Sequence, residues 1–195
     1  MTPRDTPPQL SAARGLYFLA LSVACAVSGV FITFSVNHAP TVGLIGLIIA
    51  ALGSAIARVV AVAAVSDRST AWRVSHAVAL AFSIVTSVLA GVALLTGPTL
   101  GLFTLLVATW AGAVAVCDIL LSINAPDKVV RRDFRVIALA GVVLAVVEVA
   151  VPLSSVYAVG ILGAFGVVVS VYAAIAGMTL RFDAVSVPPE GKRTP

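Results

Sequence analysis

The chain has 195 residues, of which 61% are hydrophobic and 10% charged. An ordinary soluble domain carries about 25% charged residues, so the surroundings of this chain are lipid rather than water over most of its length. The net charge of +4 does not point to nucleic acid, because the basic residues sit in short connectors between apolar runs and form no stripe or recognition helix.

Residues 1–14, with Pro3, Pro7 and Pro8, read as a polar cytoplasmic tail. Apolar runs follow at about 16–36, 41–65, 74–96, 99–122, 136–151 and 154–179. A bilayer core about 30 Å thick needs about 20 helical residues, and five of the runs meet that length. The fifth run in the chain is short, between Arg135 and Pro152. It borrows residues before Arg135, whose long side chain snorkels to the interface. Strict alternation is lacking and the runs are too long for barrel strands, so helices are expected. The first run is not read as a cleaved leader. Ser22 stands where a lipoprotein site needs a bulky apolar residue, and the run continues past Cys25. Residues 182–195, with Pro188, Pro189 and Lys192, read as a disordered cytoplasmic tail. Cys25 and Cys117 lie inside apolar runs and behave there as small hydrophobes, not as a disulfide framework or metal site.

Lysine and arginine set the orientation. Arg4 and Arg14, Arg68 and Arg73, Lys128, Arg131, Arg132 and Arg135, and finally Arg181, Lys192 and Arg193 all fall on one side. The remaining basic residue, Arg58, lies within the second run. Both termini are therefore expected in the cytoplasm, with the chain resident in the cell membrane.

The sequence also repeats. Arg14, Arg73 and Arg135 each open an odd-numbered helix. Pro40-Thr41-Val42-Gly43-Leu44 opens the second helix, and Pro98-Thr99-Leu100-Gly101-Leu102 opens the fourth, 58 residues later. Ser155-Val156 opens the sixth. The expected fold is an all-α integral membrane protein with six transmembrane helices, arranged as three parallel-repeated helical hairpins at about 15–65, 73–122 and 135–180. Their axis should run along the membrane normal. The even-numbered helices share a small-residue seam: Gly43, Gly46, Ala50, Gly53 and Ala57, then Gly101, Thr104, Ala108, Ala111 and Ala115. Gly160, Gly163, Gly166, Ser170, Ala174 and Gly177 continue it in the sixth, as a drifting stripe. Such seams serve either close helix packing or the lining of a crevice.

Three ionisable residues lie within the runs, where charge is costly. Arg58 is 17 residues after Thr41 and Asp118 is 19 after Thr99, which places both about 25–28 Å from the outer edge, near the cytoplasmic boundary. They either snorkel to the interface separately or pair with each other. Glu148 precedes Pro152 by four residues and shares a face with Gly141 and Ala145. It is either a protonatable intramembrane group or a neutral or hydrogen-bonded structural carboxyl near the outer surface, with Tyr157 and Ser154 as the available partners. His38 belongs to an outer connector and His76 to the inner end of the third helix, so they cannot share a metal. Tyr17 and Trp72 stand where inner interfacial aromatics are expected. There is no Walker loop, zinc-helix motif or nucleophile elbow, so neither an enzyme nor a bound cofactor is expected.

The pattern resembles the HdeD family of small bacterial six-helix membrane proteins, also described as the DUF308 repeat family. Their hairpins tend to open with arginine, cross a short proline-containing connector and return through a glycine-rich helix. The third hairpin here, Arg135 to Arg181 with Gly141, Pro152, Gly160, Gly163 and Gly177, carries the likeness best. The resemblance covers about residues 14–181 and its motifs are compositional. It implies a non-enzymatic inner-membrane protein linked to acid or envelope stress. The alternative is a small transporter or channel in which Glu148 matters, and a weaker one is a scaffold. The lipid bilayer is the expected partner, with homo-oligomers or other membrane proteins as further ones; the substrate is unknown.

Overall fold

A computed structural model describes residues 8–64, 69–125, 127–150 and 154–185. Six helices make up nearly all of it: α1 (Pro8–Phe34), α2 (Pro40–Ala64), α3 (Thr70–Thr96), α4 (Leu100–Asn124), α5 (Lys128–Ala150) and α6 (Ser155–Val185). There is no strand among the described residues. Five of the helices, all but α5, are long and apolar enough to cross a membrane. The exception has a simple cause. Lys128, Arg131, Arg132, Asp133 and Arg135 crowd the first turns of α5 and leave only 136–150 free of basic residues.

Local chemistry sets the boundaries. The Ser69 hydroxyl accepts from the Trp72 N–H at 3.3 Å and starts α3, and Thr99 does the same for Leu102 at 3.3 Å and starts α4. Gly97 ends α3 with φ 119, a region open to glycine, and returns its N–H to Ala93 O. α1 begins at Pro8, so part of the segment expected as a tail is helical. Proline is tolerated there because the first turn of a helix has no intrahelical use for its N–H. The remaining tail positions, 1–7 and 186–195, lie outside the described residues, as does Pro152.

Consecutive helices pack side by side from α1 through to α5. The last step breaks this order: α6 lies along α1 and touches α5 only lightly. Glycine explains the choice of partner. A Cβ on Gly166 would stand 2.9 Å from Cys25 O, and one on Gly177 would stand 2.8 Å from Gly15 O. The two backbones are therefore as close as helices come. Ser22 adds a hydrogen bond from its hydroxyl to Ser170 O at 2.8 Å across the same contact. Weaker contacts link α2, α4 and α6 to one another, while no two of α1, α3 and α5 come into backbone contact among the described residues.

The faces turned outward are apolar. Val23, Val27 and Val30 on α1, Val78, Phe82 and Val85 on α3, and Val168, Val171 and Ile175 on α6 are exposed at helical spacing. Buried positions on α3 include Ser75, His76, Ser83, Thr86 and Ser87. Water would disfavour this inverted pattern; hydrocarbon favours it.

The seams behave unevenly. In α2, a Cβ on Gly46 would lie 2.5 Å from Ile32 Cδ1, and one on Gly53 would collide with the Ala24 Cβ, so both face α1. Ala108, Ala111 and Ala115 of α4 are buried, and Gly141 of α5 sits against Ala111 O and Ala115. Gly46 and Gly53 of the α2 seam thus pack on α1, Gly43 of the same seam faces α4 and α6, and the α4 seam packs on α5. Gly163 and Gly166 face α1. Two expected packing glycines differ. A Cβ on Gly101 or on Gly160 would meet no atom within 4 Å. Gly101 stands beyond the end of the antiparallel α5, whose Ala145 is already opposite Gly112. Gly160 is rotated by about 90° from the centre of the face that meets α1, because steps of three residues drift by about 60° each.

Candidate functional site

At the end of the bundle rich in arginine, Arg58 of α2 donates from Nη2 to Oδ1 of Asp118 on α4 at 2.8 Å, and each side chain is 1% exposed. Both residues lie six positions from the ends of their helices, about 9 Å deep. The structure thus pairs the two charges that depth alone left either paired or separate.

An aromatic layer adjoins the pair through Tyr17. The Tyr17 ring centre is 5.9 Å from Arg58 Cζ. Tyr17 meets His76 at 5.5 Å and Phe134 at 5.7 Å, and Trp72 meets His76 at 4.6 Å and Phe134 at 5.9 Å. Arg14 Cζ lies 5.7 Å from the Trp72 ring, within range of a cation–π attraction. Large side chains from α1, α3 and α5 therefore meet where the backbones of those helices do not. Tyr17 and Trp72 are at the expected end but turned into the bundle rather than toward an interface. Several polar atoms in this layer are buried without a hydrogen-bond partner among the described residues: Arg58 Nε and Nη1, Asp118 Oδ2, Tyr17 Oη and Trp72 Nε1. Beside it, Asp133 accepts from Tyr172 Oη at 2.9 Å and from Arg132 at 3.2 Å.

The opposite end is closed differently. Phe103 of α4 is fully buried, and a Cβ on Gly43 would stand 2.7 Å from both Phe103 Cε2 and Val159 Cγ2. The three even-numbered helices converge on that ring. Aromatic side chains thus fill the middle of the bundle near both ends.

Glu148 lies on α5 in the half away from the arginines. It is 4% exposed, and neither carboxylate oxygen has a partner among the described residues. Gly141 against Ala115, and Ala145, whose Cβ would lie 3.8 Å from a Cβ on Gly112, fix the antiparallel register of α5 and α4 and set Glu148 level with Ala108. Of the alternatives offered by the sequence, a bond to Tyr157 or Ser154 is not made, and Tyr157 is 68% exposed. α6 as a whole lies along α1 and touches α5 only lightly.

No group of three or more metal-ligating side chains occurs among the described residues, and Cys25 and Cys117 are buried free thiols. One feature of the interior was not anticipated from the sequence. The inward face of α3 is a stripe of small and polar residues, in which the Trp110 indole N–H donates to Ser83 Oγ at 3.2 Å. Its signal was the alternating four-and-three spacing of Trp72, His76, Ala79, Ser83, Thr86, Ala90 and Ala93. Comparison with known proteins adds no relative: the chain matches no protein-family model, no curated protein and no solved structure.

Proposed function

We propose that the chain is a non-enzymatic cell-membrane protein of the HdeD-like (DUF308) type, answering acid or envelope stress, with Glu148 as the group on which external acid acts. In this reading both termini are cytoplasmic, α5 is a sixth span, and the three hairpins are parallel repeats. The lysine and arginine distribution supports the orientation. The repeat is supported by the way each odd-numbered helix lies between even-numbered neighbours while odd helices avoid each other.

The observation that carries the proposal is the isolation of Glu148. It is buried with neither oxygen partnered among the described residues. Of the helices packed against α5, the facing half of α4 (Leu100–Gly112) has no titratable side chain, and α6 has only the exposed Tyr157 at that end. As a neutral acid such a group is tolerated; as a carboxylate it demands water or a partner. Its charge state therefore decides how tightly α5 lies on α4. The test is infrared difference spectroscopy of the purified chain across acidic to neutral pH. A protonated-carboxyl band that titrates in the wild type and is absent in Glu148→Gln is expected, together with a pH-dependent change in tryptophan emission that the variant lacks. A silent Glu148→Gln, with unchanged pH dependence, overturns the reading.

The same isolated carboxyl favours a second reading, a small proton-coupled transporter or channel. The filled bundle axis weighs against an open pore. The readings separate on flux: in proteoliposomes, pH-driven flux through the wild type that Glu148→Gln abolishes supports transport, and its absence supports the first reading.

A further inference from the structure

A cleft of about 580 Å³ opens between the last turns of α2 and the first turns of α3, at the arginine-rich end. Its walls include Val59 and Val62 of α2 and Val74 and Leu80 of α3, with Thr70 and Arg73 also lining it. We infer that this cleft binds an anionic phospholipid, its phosphate held at Arg73 and Thr70 and an acyl chain lying along the valines.

The origin of the cleft lies in the sequence. The α6–α1 and α4–α5 contacts are drawn together by glycine, through Gly15, Gly177, Gly112 and Gly141. The facing segments of α2 and α3 contribute no glycine to the cleft, and Val59, Val62 and Val74 line it instead. The space left is apolar along its length and positive at one end. Arg73 is exposed and forms no ion pair among the described residues. It lies in the first turn of α3, whose leading N–H groups add positive partial charge. Among the described residues no acidic side chain lines the cleft, and the planar guanidinium of Arg73 matches phosphate oxygens. The outward faces of the bundle are apolar, so lipid tails are what reaches this cleft from the side. The inference is independent of any role for Glu148.

The experiment uses the full chain purified in mild detergent. Native mass spectrometry with titrated phosphatidylglycerol, phosphatidylcholine or inorganic phosphate reads retention, and thermal unfolding with the same additions reads stabilisation. Phosphatidylglycerol is expected to be retained and to raise Tm, phosphatidylcholine to be retained weakly, and inorganic phosphate to do neither. Arg73→Gln should weaken phosphatidylglycerol retention about fivefold, the equivalent of about 1 kcal/mol per basic residue at an anionic surface. Arg181→Gln, which removes an exposed basic residue at the same end, should leave it unchanged. Val74→Trp, which fills the cleft from its exposed side, should abolish retention with Arg73 intact. Equal retention of both lipids, equal effects of Arg73→Gln and Arg181→Gln, or stabilisation by inorganic phosphate alone overturns the inference.

Discussion

Removing the charge of Asp118 should be among the most damaging single changes in this protein. Charge centres about 4 Å apart attract by about 4 kcal/mol at an effective dielectric constant of about 20, while withdrawing each ion from water costs several kcal/mol. The intact pair therefore contributes little net stability. It makes one hydrogen bond of 2.8 Å, and leaves Asp118 Oδ2 and two guanidinium nitrogens without partners among the described residues, so it falls short of a bidentate contact. Asp118→Asn keeps the shape and an acceptor but strands the buried guanidinium, at a cost of about 3–5 kcal/mol. The double replacement Arg58→Met with Asp118→Leu removes both charges and should return to within about 1 kcal/mol of the wild type, or exceed it. Unfolding of the full chain in mixed micelles, followed by tryptophan emission, gives all three values. A loss below about 1 kcal/mol for Asp118→Asn, as for a solvated pair, or a double variant no better than the single one, would refute the reasoning.

Two further predictions use simpler changes. Gly166→Ala should cost about 1–3 kcal/mol, because its methyl meets backbone atoms of α1 that cannot move aside. Gly46→Ala should cost less, since the obstacle is the flexible end of Ile32. Gly101→Ala and Gly160→Ala enter open space and should be neutral or slightly stabilising, as alanine exceeds glycine in helix propensity by about 1 kcal/mol; equal losses at all four positions would show that close approach does not set the cost. Reporter fusions after His38, Pro98 and Leu153 should read as extracytoplasmic and those after Asp67 and Asp127 as cytoplasmic, and one clear reversal would break the positive-inside argument.

What the sequence disclosed was mostly local. Pro40, Thr99 and Ser155 mark helix starts because capping and proline chemistry act within one turn. Depth was legible too: counting from helix starts placed Arg58 and Asp118 at one level, although they are sixty residues apart. Azimuth was legible only in part: the face shared with Gly141 and Ala145 turns Glu148 inward, as found, but the aromatic residues gave no such sign. Depth gives the end at which Tyr17 and Trp72 sit, but not that they turn inward to meet His76 and Phe134. Partner choice was likewise hidden. The glycines of α6 announce a close contact, yet equally small surfaces on α1 and α5 compete for it, and Gly15 and Gly29 on α1 decide the matter. The polar stripe of α3 was present as a spacing, masked by the valines and leucines between its members.

That choice of partner gives α5 a distinctive position. With α6 committed to α1, α5 rests mainly on α4 and touches α6 only lightly. It carries Phe134 near one end and Glu148 near the other, both buried and fourteen residues apart, hence on nearly one face and about 21 Å apart. Phe134 touches Tyr17, Phe18, Trp72 and His76, so it is the contribution of α5 to the aromatic layer around Arg58 and Asp118. A rigid helix moved at Glu148 has to move or tilt about that anchor. A carboxylate forming at Glu148 favours separation of α5 from Ala108 and its neighbours, whereas the rings resist separation at the other end. α5 is thus anchored by ring contacts at its arginine-rich end and carries its isolated carboxyl near the other. The proposed response to acid draws on this placement together with the burial of Glu148: the same carboxyl on α1, gripped by α6 along most of its length, would have less freedom to answer its own charge.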